Sequence, residues 1–216
     1  MGNFMSSYAD QLGVRQFDEK ELSEDFPKNF DFILSADIEQ RKAIIKQIVG
    51  TSTYDSIILI GSKWLRDLGL QADEMKYFSK IPEGFRDQMN ELWHDKEKKY
   101  LLLADDCIAS DSIPSAFLDY LISGGNLKSR VILTSVEPLD FGGEWYIRNV
   151  NRVIVGKLTW PAELTKERLE KIHRYLGRKV KILWTLEKFK DIWEKIQYYN
   201  YKLVIEPKAE KALSIF

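Results

Sequence analysis

Two adjacent carboxylates close the apolar run Tyr100-Leu-Leu-Leu-Ala-Asp-Asp106. At the end of a strand, Asp105 can hold a hydrated Mg²⁺ through oxygen contacts while Asp106 orients or deprotonates a water for attack on phosphate. The plainer role is a strand ending in a turn, where aspartate is common. The run Arg130-Val-Ile-Leu-Thr-Ser-Val-Glu-Pro138 ends in two hydroxyls, Thr134 and Ser135, which would stand beside the acids if the two runs were neighbouring strands. Upstream, Asp31 to Ile45 reads as strand, short loop and helix, with Arg41 and Lys42 near the helix start. These two cations suit either an anion site or a solvated first turn.

Other chemistry-bearing residues are sparse. Glu97-Lys98-Lys99 forms an E-x-K element, which with an upstream aspartate could bind Mg²⁺ for phosphodiester cleavage, although so short a pattern is common. One cysteine, Cys107, and two histidines, His94 and His173, offer no internal disulfide and no zinc-like cluster, which favours a reducing, cytoplasmic setting. Cys107 reads as a small buried hydrophobe and His94 as a helix-surface residue. Trp160, Trp184, Trp193, Tyr198, Tyr199 and Tyr201 could stack on bases among lysines, yet helical core spacing accounts for most of them.

The elements that must position these groups follow from periodicity. Short runs rich in β-branched or aromatic residues at Phe30 to Ser35, Ser56 to Gly61, Tyr100 to Ala104, Arg130 to Ser135 and Arg152 to Val155 read as buried strands. Helical spacing joins Ile38, Ile44, Ile45, Ile48 and Val49; Phe85, Met89, Leu92 and Trp93; and Ile113, Phe117, Leu118, Leu121 and Ile122, the last from Ser112 to Gly124-Gly125. Strands alternating with helices predict an α/β fold, a mainly parallel sheet covered on both faces. Beyond Val155 the pattern predicts a helix from Pro161 to Gly177 and a second from Thr185 that buries Leu186, Phe189, Ile192, Trp193, Ile196 and Tyr199. A last strand over Tyr201 to Ile205 stops at Pro207, and Lys179 to Trp184 fits strand or helix start alike.

A chain of 216 residues, 44% of them hydrophobic, can enclose a substantial core, which excludes disorder throughout. Its 32 basic and 33 acidic residues nearly cancel, so attraction to a polyanion must be local. Met1 to Asn151 carries a net −8 and Arg152 to Phe216 a net +7, which would turn the carboxyl-terminal part toward DNA or toward a neighbouring subunit. No apolar run reaches the roughly 18 to 20 residues of a membrane span, and Met1 to Gly13 lacks a secretory pattern. Met1-Gly2-Asn3-Phe4-Met5-Ser6 fits the loose myristoylation pattern.

Read in order from Asn29 to Glu206, these pieces resemble the P-loop ATPases of the FtsK/HerA type, in particular viral DNA-packaging ATPases. The resemblance implies a three-layer P-loop NTPase-like domain over 29–206, with an amino-terminal arm at 1–28, a helical carboxyl-terminal extension and a tail at 207–216. It implies Mg²⁺ and ATP as ligands, with Lys42 as the phosphate-binding lysine beside Arg41, Asp105 as the Mg²⁺ ligand and Asp106 as the catalytic acid. Thr134 and Ser135 would be the sensor hydroxyls, and Arg148 the arginine that acts on a neighbour's nucleotide in a ring. The chain departs from the pattern where G-x-x-x-x-G-K-[ST] is expected, reading Ala36-Asp-Ile-Glu-Gln-Arg-Lys-Ala43 instead, with Val136 where a sensor glutamine is usual. Without the glycines the loop cannot turn its N–H groups onto phosphate. Asp37 and Glu39 add like charge, worth roughly 4 kcal/mol per unit at about 4 Å and an effective dielectric of 20. These departures predict a pseudo-ATPase without bound nucleotide, a structural partner of like subunits or of an active ATPase. The intact acidic pair keeps an active translocase as the alternative.

Overall fold

A computed structural model describes residues 9–10, 14–23, 29–85, 87, 98–106, 130–136, 150–159, 162–179, 184–206 and 213–215. Its strands are β1 (Arg15–Gln16), β2 (Asn29–Leu34), β3 (Tyr54–Ile60), β4 (Ala72–Phe78), β5 (Tyr100–Asp105), β6 (Arg130–Ser135), β7 (Arg152–Val155), β8 (Leu203–Ile205) and β9 (Leu213–Ile215). They form one sheet in the order β1-β9-β8-β7-β2-β6-β5-β3-β4. Every pairing from β7 to β4 is parallel. Only β8 runs antiparallel to its neighbours, and β1 lies parallel to β9. The described helices are α1 (Ile38–Val49), α2 (Ala162–Lys179) and α3 (Leu186–Tyr199), with 3-10 turns at Glu19–Ser23 and Lys63–Leu68.

Because successive strand residues face opposite sides, the buried runs divide into two cores. Phe30, Phe32, Leu34, Leu102, Leu133 and Val153 pack with Leu169, Ile172 and Leu176 of α2 and Phe189, Ile192 and Trp193 of α3. Ile33, Leu59, Leu101, Leu103, Ile132 and Ile154 pack instead with Ile44, Ile45, Ile48 and Val49 of α1. Helices therefore cover both faces, giving the three-layer α/β fold that the alternation predicts. At the start of β7, Arg152 is buried and grips Asp31 of β2 through Nε at 2.7 Å and Nη2 at 3.0 Å. Its Nη1 and Nη2 also donate to the carbonyls of Glu21 and Leu22, tying the segment before β2 to the sheet.

The differences from the sequence reading have local causes. β4 carries Asp73, Glu74 and Met75 exposed in a row, so this edge strand lacks the continuous apolar run that marks its neighbours. β1 and β9 lie in the segments read as arm and tail, and they pair with each other in a sheet that reaches beyond 29–206. Two or three residues are too few to show a period. α2 runs past Gly177 to Lys179, and β8 begins at Leu203 rather than Tyr201. Tyr199, expected on the buried face of α3, is 45% exposed, as the helix turns its last residues outward beside Tyr198. The helical segments read through Met89 to Trp93 and through Ile113 to Ile122 lie outside the described residues, as do 180–183.

Candidate functional site

Parallel register brings three strand ends to one rim. β6 lies between β2 and β5, with Asp105 opposite Thr134 and Leu34 opposite Ser135. Residues 101, 103 and 105 of β5 and 132 and 134 of β6 share the face covered by α1, so Asp105 and Thr134 both turn toward that helix. Arg41, the fourth residue of α1, is buried and reaches across β6 to the acids at the end of β5. Its Nη1 lies 2.5 Å from Asp105 Oδ1 and 3.1 Å from Asp106 Oδ2. The Thr134 hydroxyl donates to Asp105 Oδ1, Trp64 Nε1 donates to Asp105 Oδ2 at 2.9 Å, and the Ser62 hydroxyl bonds the same carboxylate. The Trp64 ring also lies 5.5 Å from the Arg41 guanidinium carbon.

Asp106 takes a left-handed conformation with φ of 49°, which turns the chain off the strand end. Its N–H donates to the Thr134 carbonyl at 2.9 Å, and its Oδ1 accepts from Val136 N at 3.0 Å. The two acids thus differ in setting. Burial pushes the Asp105 carboxyl above the usual aspartate range, opposed by the Ser62 and Thr134 hydrogen bonds and by the Arg41 charge. Asp106 keeps a third of its side chain exposed.

Other expected members stand apart. Lys42 does not join Arg41 at the rim: its amine pairs with Glu39 at 2.7 Å on the solvent side of α1. Adjacent helix residues diverge by about 100°, so only one of the two cations can face the acids. Ser135 is buried, but it falls in the pleat with Leu133, on the face opposite Thr134. Arg148, Glu97, Cys107 and His94 lie outside the described residues. Trp64 and Ser62 escaped the sequence reading. Their signal was position, immediately after the end of β3 at the same rim.

Between Leu34 and Ile38 the link from β2 to α1 is three residues long. Its backbone donors all turn to the chain itself. Ser35 N donates to the Ser135 carbonyl at 3.0 Å, Ala36 N to the Lys157 carbonyl at 2.7 Å, and Asp37 N to Ser35 Oγ at 3.2 Å. Asp37 caps α1 by accepting from Gln40 N at 3.1 Å. Gln40, three residues after the cap, folds its carboxamide back over the link. Its Oε1 accepts from Ser35 Oγ at 2.8 Å and Lys157 N at 2.7 Å, and its Nε2 donates to Asn200 at 3.1 Å. Gly156 leaves the room for this, since a Cβ there would lie 2.0 Å from Gln40 Oε1.

No protein-family model and no curated protein matches the sequence. Solved structures do match. The genome packaging NTPase B204 from Sulfolobus turreted icosahedral virus 2, in complex with ATP-gammaS, superposes with a TM-score of 0.58 over 88% of this chain and 97% of its own, at 13% identity. B204 from Sulfolobus turreted icosahedral virus, described as a DNA-packaging ATPase, gives 0.56 over 89% and 98%, at 14% identity. The chain has the fold of a viral genome-packaging NTPase. The cytoplasmic domain of the Type VII secretion ATPase EccC from Thermomonospora curvata shares it at a TM-score of 0.53 and 10% identity, the match covering 88% of this chain and 25% of that one. The link from β2 to α1 is the segment that the sequence resemblance expects to be a P-loop, and Asp105-Asp106 ends the strand that it expects to carry the Walker B acids. No helix among the described residues is long and apolar enough to cross a membrane.

Proposed function

We propose that this protein is a nucleotide-independent member of the packaging-NTPase fold, a structural or interaction module of a DNA-handling assembly. The observation that carries the reading is the three-residue link Ser35 to Asp37. A P-loop wraps phosphates in backbone N–H groups over a glycine-rich loop of several residues before its helix. Here the link is short, its N–H groups are already donated within the chain, and the Asp37 carboxylate sits at the helix N-terminus that would attract a phosphate. Mg²⁺ and ATP therefore do not fit the residues present. Lys42, engaged with Glu39, supplies no charge to the rim.

On this reading the partners are further copies of the chain or a related active ATPase, and the net positive charge from Arg152 onward faces DNA. Calorimetric titration with Mg²⁺-ATP at near-millimolar concentration should give no binding heat, with the wild type and Lys42→Ala alike. Binding that Lys42→Ala abolishes would restore the active translocase, a reading favoured by the acidic pair with Thr134 at its side.

A further inference from the structure

Asp105 and Asp106 are the acids expected to hold a divalent cation, and a guanidinium nitrogen already lies between them. Arg41 Nη1 lies within hydrogen-bond distance of both carboxylates, 2.5 Å from one and 3.1 Å from the other, while the residue is 3% exposed. A carboxylate offers about four lone-pair positions. Asp105 spends its own on Arg41, Thr134, Trp64 and Ser62, all donors, so an incoming metal ion would have to displace one of them. Arg41 is itself held in place. Its guanidinium lies against the Trp64 ring, the same side chain that donates to Asp105. Its helix is fixed by the Asp37 cap and by Gln40.

We infer that Arg41 is a built-in substitute for a divalent cation: it neutralises the acidic pair from within, closes the rim to Mg²⁺ and Mn²⁺, and leaves a latent metal site that opens only when the guanidinium is removed. The ligands of that site are Asp105 and Asp106, with the Thr134 and Ser62 hydroxyls adjacent, an oxygen set suited to Mg²⁺ or Mn²⁺. The inference deepens the nucleotide-independent reading of the same rim. It concerns the bare ion, so it can fail while that reading stands.

The probe is Mn²⁺ without nucleotide, followed by the electron paramagnetic resonance signal of free Mn²⁺ and by thermal unfolding of the full chain. Wild type should leave the Mn²⁺ signal and the Tm unchanged. Arg41→Gln should deplete the signal at a saturable stoichiometry of one and show an upward Tm shift with Mn²⁺, both lost in Arg41→Gln/Asp105→Asn. If Arg41→Gln does not fold alone, Mn²⁺ should restore its circular dichroism, because metal binding then supplies folding free energy. Mn²⁺ binding by the wild type that Asp105→Asn removes would overturn the inference. So would an Arg41→Gln variant that ignores Mn²⁺ whether folded or unfolded. If wild type binds Mg²⁺-ATP yet ignores bare Mn²⁺, the nucleotide-independent reading falls and the closed cation site remains.

Discussion

The Arg41 guanidinium shows how differently one residue can act from its neighbour. A buried ion pair adds little net stability, because desolvation offsets its attraction, but removing one partner strands the other. Arg41→Gln should therefore cost about 3–5 kcal/mol in urea unfolding. Adding Asp105→Asn should recover part of that loss, since the stranded charge is then gone. A Trp64→Phe change keeps an aromatic face beside Arg41 but removes one donor from the Asp105 carboxylate. Its expected cost is about 1–3 kcal/mol, the range for leaving a buried acceptor without its partner. Losses equal to those of exposed substitutions, a few tenths of a kcal/mol, would show that neither contact persists in solution.

At the scale of elements, the link from β2 to α1 is held from two directions. Asp37 caps the helix, and Gln40 bolts the link to Lys157 and to Asn200, just past the end of α3. Asp37→Ala should lower stability by about 1 kcal/mol, the usual value of an N-cap. Gly156→Ala should cost more, about 1–3 kcal/mol, because its methyl would meet Gln40 Oε1 and displace the carboxamide from its partners. If both substitutions cost the same, or Gly156→Ala costs nothing, Gln40 does not bind the link as described. Denaturant midpoints of the two variants, compared at equal m-value, decide this.

Across the whole molecule, charges at the opposite ends of the strands tie the terminal segments to the sheet. Glu206, just past β8, faces Arg15, Arg152, Glu21 and Asp31. Burial pushes its carboxyl above the usual glutamate range, against the pull of Arg15 and Arg152 and with the help of Glu21 and Asp31. A carboxyl whose folded pKa is raised binds its proton more tightly when folded, so its contribution is fullest below the unfolded pKa and is lost as pH rises through the folded one. Glu206→Gln should therefore raise Tm relative to wild type at neutral pH, with the gap shrinking as pH falls into the ordinary glutamate range. A gap that is constant with pH, or reversed in sign, would contradict the burial argument.

Much of this was legible in residue order. Short runs rich in β-branched, aromatic or other apolar residues mark β2, β3, β5, β6 and β7 because strands buried on both faces need apolar residues on each, and Asp105-Asp106 with Thr134 was legible as a rim because parallel strands end on one side. Strands β1, β4 and β9 were not, since a short or edge strand buries too little to impose a pattern. What the amino-acid order determined by itself was the three-layer α/β architecture and the missing glycines of its first loop. Which cation meets the acids was decided only by the tertiary structure. Arg41 and Lys42 are adjacent cations at the same helix start, but the rotation of α1 against the sheet buries one and leaves the other with Glu39. Helical spacing puts Arg41 in line with Ile44, Ile45 and Ile48, but that this face overlies the acids follows from the sheet order, which sets β5 one strand away from β2 although the two are distant in sequence.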